Sequence, residues 1–199
     1  MRKATHTLLL LLLLCSSQCI VFSSYRLPPE NTPATVSGQR TVLLSVTQAQ
    51  TVGSEKVEAR ELDRKKTQDS IIRALSKHSA VAGVVTDPAQ SHDIKLAVSV
   101  DSQVSTYQST PGMIFTFLSF LTATVLPFDV DQTSRLSFRF TRPADGATLK
   151  TEHTAHFNIW VGILTLPLMP FLSPGQVADR TFRDLVHASV NEAIERNLF

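Results

Sequence analysis

His153 and His156, together with Asp129 and Asp131, are the side chains whose types and spacing invite a search for chemistry. A three-residue step along a strand turns two side chains to opposite faces, so the two imidazoles are not expected to share a metal. His153 falls instead among apolar neighbours and reads as a packed or hydrogen-bonded histidine. Asp129 and Asp131 flank Val130 and have a spacing that could hold a cation, but no glycine-containing calcium loop follows them. Serines coexist with His6, His78, His92 and His187 without a Gly-x-Ser-x-Gly elbow. There is no glycine-rich phosphate loop and no Cys/His zinc spacing. The sequence therefore predicts no catalytic residue, no metal and no cofactor, and a non-enzymatic role.

The two cysteines carry a different kind of chemistry. Arg2 and Lys3 precede an unbroken leucine run, Leu8 to Leu14, the pattern of an export leader expected over residues 1–24. Cys15 and Cys19 lie in or just after that run, so no disulfide is expected in the mature domain. Their placement resembles a bacterial lipoprotein signal, in which a cysteine becomes the lipidated first residue. Leu12 stands three residues before Cys15 as such a signal requires, while Cys19 sits more naturally beyond the run. Both remain candidates, against ordinary cleavage after Ser17 or Ser23 and secretion. The formal charge of +2, less Arg2 and Lys3, leaves about zero, so no basic surface for nucleic acid is expected.

Residues 25–40 are rich in Pro, Ser and Thr and read as an extended tether. Residues 41–199 read as one domain. Thr41 to Thr47 is a predicted strand, followed by a polar loop to Arg60. Glu61 to His78 is a helix with a stripe of Leu62, Ile71, Ile72 and Leu75. Ala80 to Thr86 is a short strand. His92 to Val100 alternates Ile94, Leu96, Val98 and Val100 inward with Lys95, Ala97 and Ser99 outward, which is a half-buried strand able to run on to Tyr107. Arg135 to Arg142 and Thr148 to Val161 form a hairpin about the turn Pro143 to Gly146, with Leu149, Thr151, His153, Ala155, Phe157 and Ile159 on the apolar side. Glu152 and Lys150 fall on the outward side, in reach of Arg135 or Arg139. Ser173 and Pro174 open a closing amphipathic helix over Gln176 to Asn197. The expected fold is α+β, a small, mostly antiparallel sheet with two helices on one face and two apolar segments flanking the last hairpin.

Those apolar segments, residues 113–128 and 157–174, contain no Asp, Glu, Lys or Arg. The first alone, with Phe115, Phe117, Phe120 and Phe128, would forfeit on the order of 20 kcal/mol if fully exposed, more than a domain's typical stability of about 5–15 kcal/mol. Something must cover them. Each is short for a spanning helix, and Pro127, Pro167 and Pro170 interrupt them. Because a hairpin puts its outer ends side by side, the two segments are expected to leave the sheet together as one patch. Trp160 lies at its border, a place this side chain favours at a water–lipid boundary.

The order of elements, with Ser70 to Leu75 closing a helix, Ala80 to Val85 and then His92 to Val100, resembles small envelope lipoproteins of bacteria. Similar modules occur in outer-membrane assembly lipoproteins and in the N-terminal part of the Tol-system periplasmic protein. The resemblance implies a non-enzymatic binding or assembly factor in the cell envelope. The first expectation is thus a membrane-tethered lipoprotein facing the periplasm or exterior, contacting membrane or an envelope partner through Phe115, Phe117, Phe120, Leu121, Trp160, Leu164 and Leu168. The alternatives are a soluble periplasmic or secreted protein whose apolar segments wall a pocket for an apolar ligand, and an assembly subunit whose patch is covered by identical copies.

Overall fold

The computed structural model describes residues 19–27, 38–52, 55–105, 128–161 and 173–199. Seven strands and two helices are found there, in the order β1 Cys19–Tyr25, β2 Arg40–Val52, β3 Glu55–Glu58, α1 Glu61–Leu75, β4 Val81–Val85, β5 Ile94–Ser105, β6 Phe128–Thr141, β7 Thr148–Val161 and α2 Pro174–Glu195. One sheet runs β1-β7-β6-β5-β2-β3, with β4 also paired to β2.

The sheet is mixed, which corrects the expectation of a mostly antiparallel one. Pairs β1–β7, β7–β6, β6–β5 and β2–β3 are antiparallel, whereas β2 pairs in parallel with both β5 and β4. Parallel neighbours need a long crossover, and the chain between β2 and β5 contains α1. Alternation along each strand reports which face a residue takes and is blind to strand direction, so the parallel pairs were not visible in it.

The faces came out as the alternation requires. Ile94, Leu96, Val98 and Val100 of β5 and Leu136, Phe138 and Phe140 of β6 are buried, together with Val42, Leu44, Ala155 and Phe157. They form a single apolar cluster with Ile71, Ala74 and Leu75 of α1 and Leu185, Val186, Val190 and Ala193 of α2. Both helices therefore cover the same face. The apolar stripe of α1 is confined to its second half, because Glu61 to Lys66 are all exposed. Asn197 takes a left-handed conformation, φ 55°, just past the end of α2. That turn returns Leu198 and Phe199 to the core, where Phe199 meets the ring of Phe140 edge to face.

Polar groups enter this core in pairs. Thr151 Oγ1 and His153 Nε2 both meet Ser189 Oγ of α2, at 3.2 and 2.9 Å. The ring of His153 also lies edge-on to Phe138. On the other helix–helix seam, His78 Nε2 is 3.0 Å from Asn191 Oδ1, and His187 Nε2 is 3.1 Å from the Ala74 carbonyl oxygen. Burial lowers the pKa of His153 and His78 below the ordinary 6.5, by more than Glu192 raises the one and Asn191 raises the other.

At the margin, β1 was not anticipated, since Cys19 to Ser24 read as leader and Tyr25 as the start of a tether. It pairs with β7 over its whole length, from Cys19 opposite Val161 to Tyr25 opposite Ala155. Ile20 and Val21 are buried. Thr181 Oγ1 donates to Ser23 Oγ at 3.0 Å, and Tyr25 Oη donates to Asp184 Oδ2 at 2.5 Å, so side chains of α2 fasten the strand. Burial, and then the bond to Asp184, push the Tyr25 hydroxyl up to about 12.

Two outcomes follow. The unfolded chain protonates His153 and His78 near 6.5 while the folded chain resists, so stability present above that value is lost as pH falls through 6.5 toward the lower folded-state pKa values. Thermal unfolding followed by circular dichroism should give a lower Tm at pH 5 than at pH 7, with a shallower decline in His153→Gln. Spectrophotometric titration should show one tyrosine ionising near 12, moving toward the ordinary 10.0 in Asp184→Asn. Tyr25→Phe should cost about 1.5 kcal/mol, the low end for a bond to a charged group because the site is only part-buried.

Candidate functional site

The sheet has one end at which most of its strands begin or stop. Cys19 of β1, Val161 of β7 and Phe128 of β6 stand in one row of backbone partners. Ser105, the last residue of β5, lies opposite Asp131, and Val52, the last of β2, lies opposite Val104. Five adjacent strands thus share a rim about 19 Å across, taking roughly 4.8 Å per strand gap. From it depart residues 106–127 and 162–172, which hold the expected apolar contacts, and residues 1–18, which hold the leucine run.

The helix-covered face changes character toward this rim. Ser102 and Ser134 form a buried cross-strand pair, their hydroxyl oxygens 2.9 Å apart, and Gln132 Nε2 donates to Ser134 at 3.3 Å. The same row continues through Ala155 to Tyr25. Beyond this polar rung the face turns apolar again, with Val21 and Phe157 buried and Val104, Val130 and Ile159 half-buried. Ile159 packs on the core together with Val177 and Phe182 from the first turns of α2. The single apolar core therefore extends past this rung toward the rim.

The opposite face is mostly polar, with Ile20, Phe22, Leu43 and Trp160 as its large apolar side chains. Near the rim it holds a shallow cavity of about 440 Å³ bordered by Phe22, Asp131, Thr133, His156 and Asn158. Asn158 Nδ2 donates to Asp131 Oδ1 at 2.7 Å, and Thr133 Oγ1 is 3.1 Å from His156 Nδ1. Farther down, Lys150 pairs with Glu152 on its own strand, with both side chains more than half exposed. Sequence reasoning sent Glu152 across to Arg135 or Arg139; Lys150 is the ion-pair partner, and Arg135 acts only as a weaker nearby charge that helps hold the Glu152 carboxyl below its ordinary value, after Lys150. An exposed pair of this kind contributes little to stability.

Among the residues expected to act, Trp160 is found on the polar face at the rim, 37% exposed, opposite the buried Ile20. Cys19 opens β1. His153 and His156 take opposite faces, with His153 against Ser189 and His156 against Thr133. Cys15, Phe115, Phe117, Phe120, Leu121, Leu164 and Leu168 lie outside the described residues. Phe22, 46% exposed beside Asn158, was missed because it fell within the expected leader. Among the described residues no group of three or more His, Cys, Asp or Glu is placed to hold a metal, and no helix is long and apolar enough to cross a membrane.

No family model matches the chain, and no curated protein does. Solved structures do align. The PelC dodecamer from Paraburkholderia phytofirmans is 11% identical, over 86% of this chain and 96% of that one, with a TM-score of 0.42. A DUF330 protein from Xanthomonas campestris is 14% identical, over 87% of this chain and 96% of that one, with a TM-score of 0.48.

Proposed function

We propose that the protein is a non-catalytic, membrane-tethered lipoprotein of the cell envelope, which holds its sheet rim against the bilayer or against a partner embedded in it. The observation that carries this reading is the convergence at one rim. The start of β1, directly after the leucine-rich leader, and the chain ends leading to both apolar segments lie in neighbouring strands. An anchor and an apolar patch at one end of a domain act on the same surface. Trp160 at that rim has the amphipathic character favoured at a water–lipid boundary.

The structure of β1 bears on which cysteine is modified. Cleavage after Ser23 would remove most of a strand whose Ile20 and Val21 are buried and whose Ser23 bonds to α2. Cleavage just before Cys19 leaves the whole strand, and its new terminus would be the first residue of β1 at the rim. Cleavage before Cys15 would leave the strand as well; we favour Cys19 because it lies beyond the leucine run and would put the lipid directly on the first residue of β1. Tyr25 and Arg40, the ends of the expected tether, then belong to β1 and β2.

Fractionation tests this. The Cys19→Ser variant, checked for export, should leave the membrane fraction on carbonate washing if lipid is the only anchor, whereas Cys15→Ser should stay with the membrane. Retention of a Cys15→Ser/Cys19→Ser protein would instead assign the attachment to the apolar segments. Phe117→Asp/Leu121→Asp in that background should then release a folded domain. If the same pair of changes abolishes folding, these residues belong to the core and the contact surface is wrong. Lipid co-purifying with a protein that is soluble without any cysteine change would favour the apolar-pocket alternative.

A further inference from the structure

We propose that the groove between α1 and α2 is a binding site for a phosphate-type oxyanion. It is an open groove of about 250 Å³, bordered by Arg73 of α1, by Lys77 in the turn just past α1, and by Arg180 and Arg183 of α2. Arg180 and Arg183, three residues apart on α2, are a helical neighbour pair of like charge, and Lys77 follows Arg73 by four residues in the turn past α1, so like charges also crowd that side. Such pairs repel one another. A counter-charge that reached all four cations across the groove would relieve that repulsion.

The groove's own carboxylate does not serve that purpose. Asp179 accepts from Ser70 Oγ at 2.6 Å and from Arg73 Nη2 at 3.0 and 3.2 Å. It holds Arg73 in place and is engaged in doing so. Arg183 leans on Asp184 at 3.4 Å, and that carboxylate already receives the Tyr25 hydroxyl. Among the described residues, no side-chain hydrogen bond or ion pair reaches Lys77 or Arg180. The first turn of α2 contains no acidic residue to offset its positive end, and Gln176 from that turn also borders the groove.

The arrangement suits a small phosphate group carrying one or two negative charges. Arginine forks match phosphate oxygens in pairs, and a lysine adds a compact point charge. The volume falls below the roughly 300–1,000 Å³ typical of drug-sized sites, so a phosphate head fits better than an extended molecule. The head could belong to a soluble phosphate ester or to an anionic lipid.

The test is isothermal titration calorimetry on the full-length protein in a non-ionic detergent, at ionic strength held constant with chloride. The ligands are inorganic phosphate, dihexanoyl phosphatidylglycerol and dihexanoyl phosphatidylcholine, each against wild type and Lys77→Gln/Arg180→Gln. Both substituted side chains are exposed and unbonded, so the variant should keep the wild-type melting curve; Lys77→Gln alone repeats the test if it does not. Saturable phosphate binding, displaced by sulfate and weakened about tenfold or more in the variant, supports a site for soluble phosphate. Binding of the glycerol lipid alone, equally variant-sensitive, supports the site with a lipid headgroup as its occupant. Absence of saturable binding by either, or binding unchanged in the variant, or equal binding of the choline lipid, overturns the proposal.

Discussion

The antiparallel ladder between β6 and β7 is the constraint on which the rest of the molecule depends. Each strand is 14 residues long, and they pair from Thr141 opposite Thr148 at the turn to Phe128 opposite Val161 at the rim. A one-residue slip would exchange Leu136, Phe138 and Phe140 with Arg135, Ser137 and Arg139 and put the cations into the core. The turn guards against it. Arg142 grips Asp145 through its Nε and Nη2, Asp145 also accepts from the Ala147 N–H, and Gly146 takes φ 72°, which a residue with a Cβ disfavours. With the hairpin pinned there, both apolar segments must start from the opposite end.

Further elements are added to that ladder on either side by different physics. β5 joins β6 through an apolar row buried under both helices, while β1 joins β7 as a marginal strand and needs side-chain bonds from α2 to hold it. Those bonds come from residues 181 and 184, within the first three turns of a helix that starts right after the second apolar segment. The region between polar rung and rim is thus built by the leader-proximal strand, the end of the hairpin and the start of α2. A load on the rim, from a bilayer or a partner, would reach the core through these contacts.

Much of this was legible in the chain. The two helices and the strands around His92 to Val100 and Thr148 to Val161 follow from periodicities of 3.6 and 2, because burial on one face requires them. The packed role of His153 followed from its apolar neighbours, and the separation of His153 from His156 from strand geometry alone. Other features were not legible. β1 lies where a leucine run and serines suggest processing, and its strand character depends on β7 as partner. β2 runs five residues past the expected Thr47, through Gln48, Ala49 and Gln50, since a polar stretch becomes strand when neighbours on both sides satisfy its backbone. The groove cations are scattered over residues 73–183, and only the seam between two parallel helices brings them together.

What the sequence by itself determined is therefore the set of faces: which residues turn inward, where the hairpin bends, and that two uncharged stretches need cover. These are local properties, set by side-chain period and turn chemistry. What only the tertiary structure decided is direction and neighbourhood: the parallel β2–β5 pair, the capture of β1 by β7 and α2, and the common rim to which chain segments from residues 19, 105, 128 and 161 all come. Such facts depend on which distant backbone groups satisfy each other's hydrogen bonds, and no periodicity within a single strand records the identity of its partner.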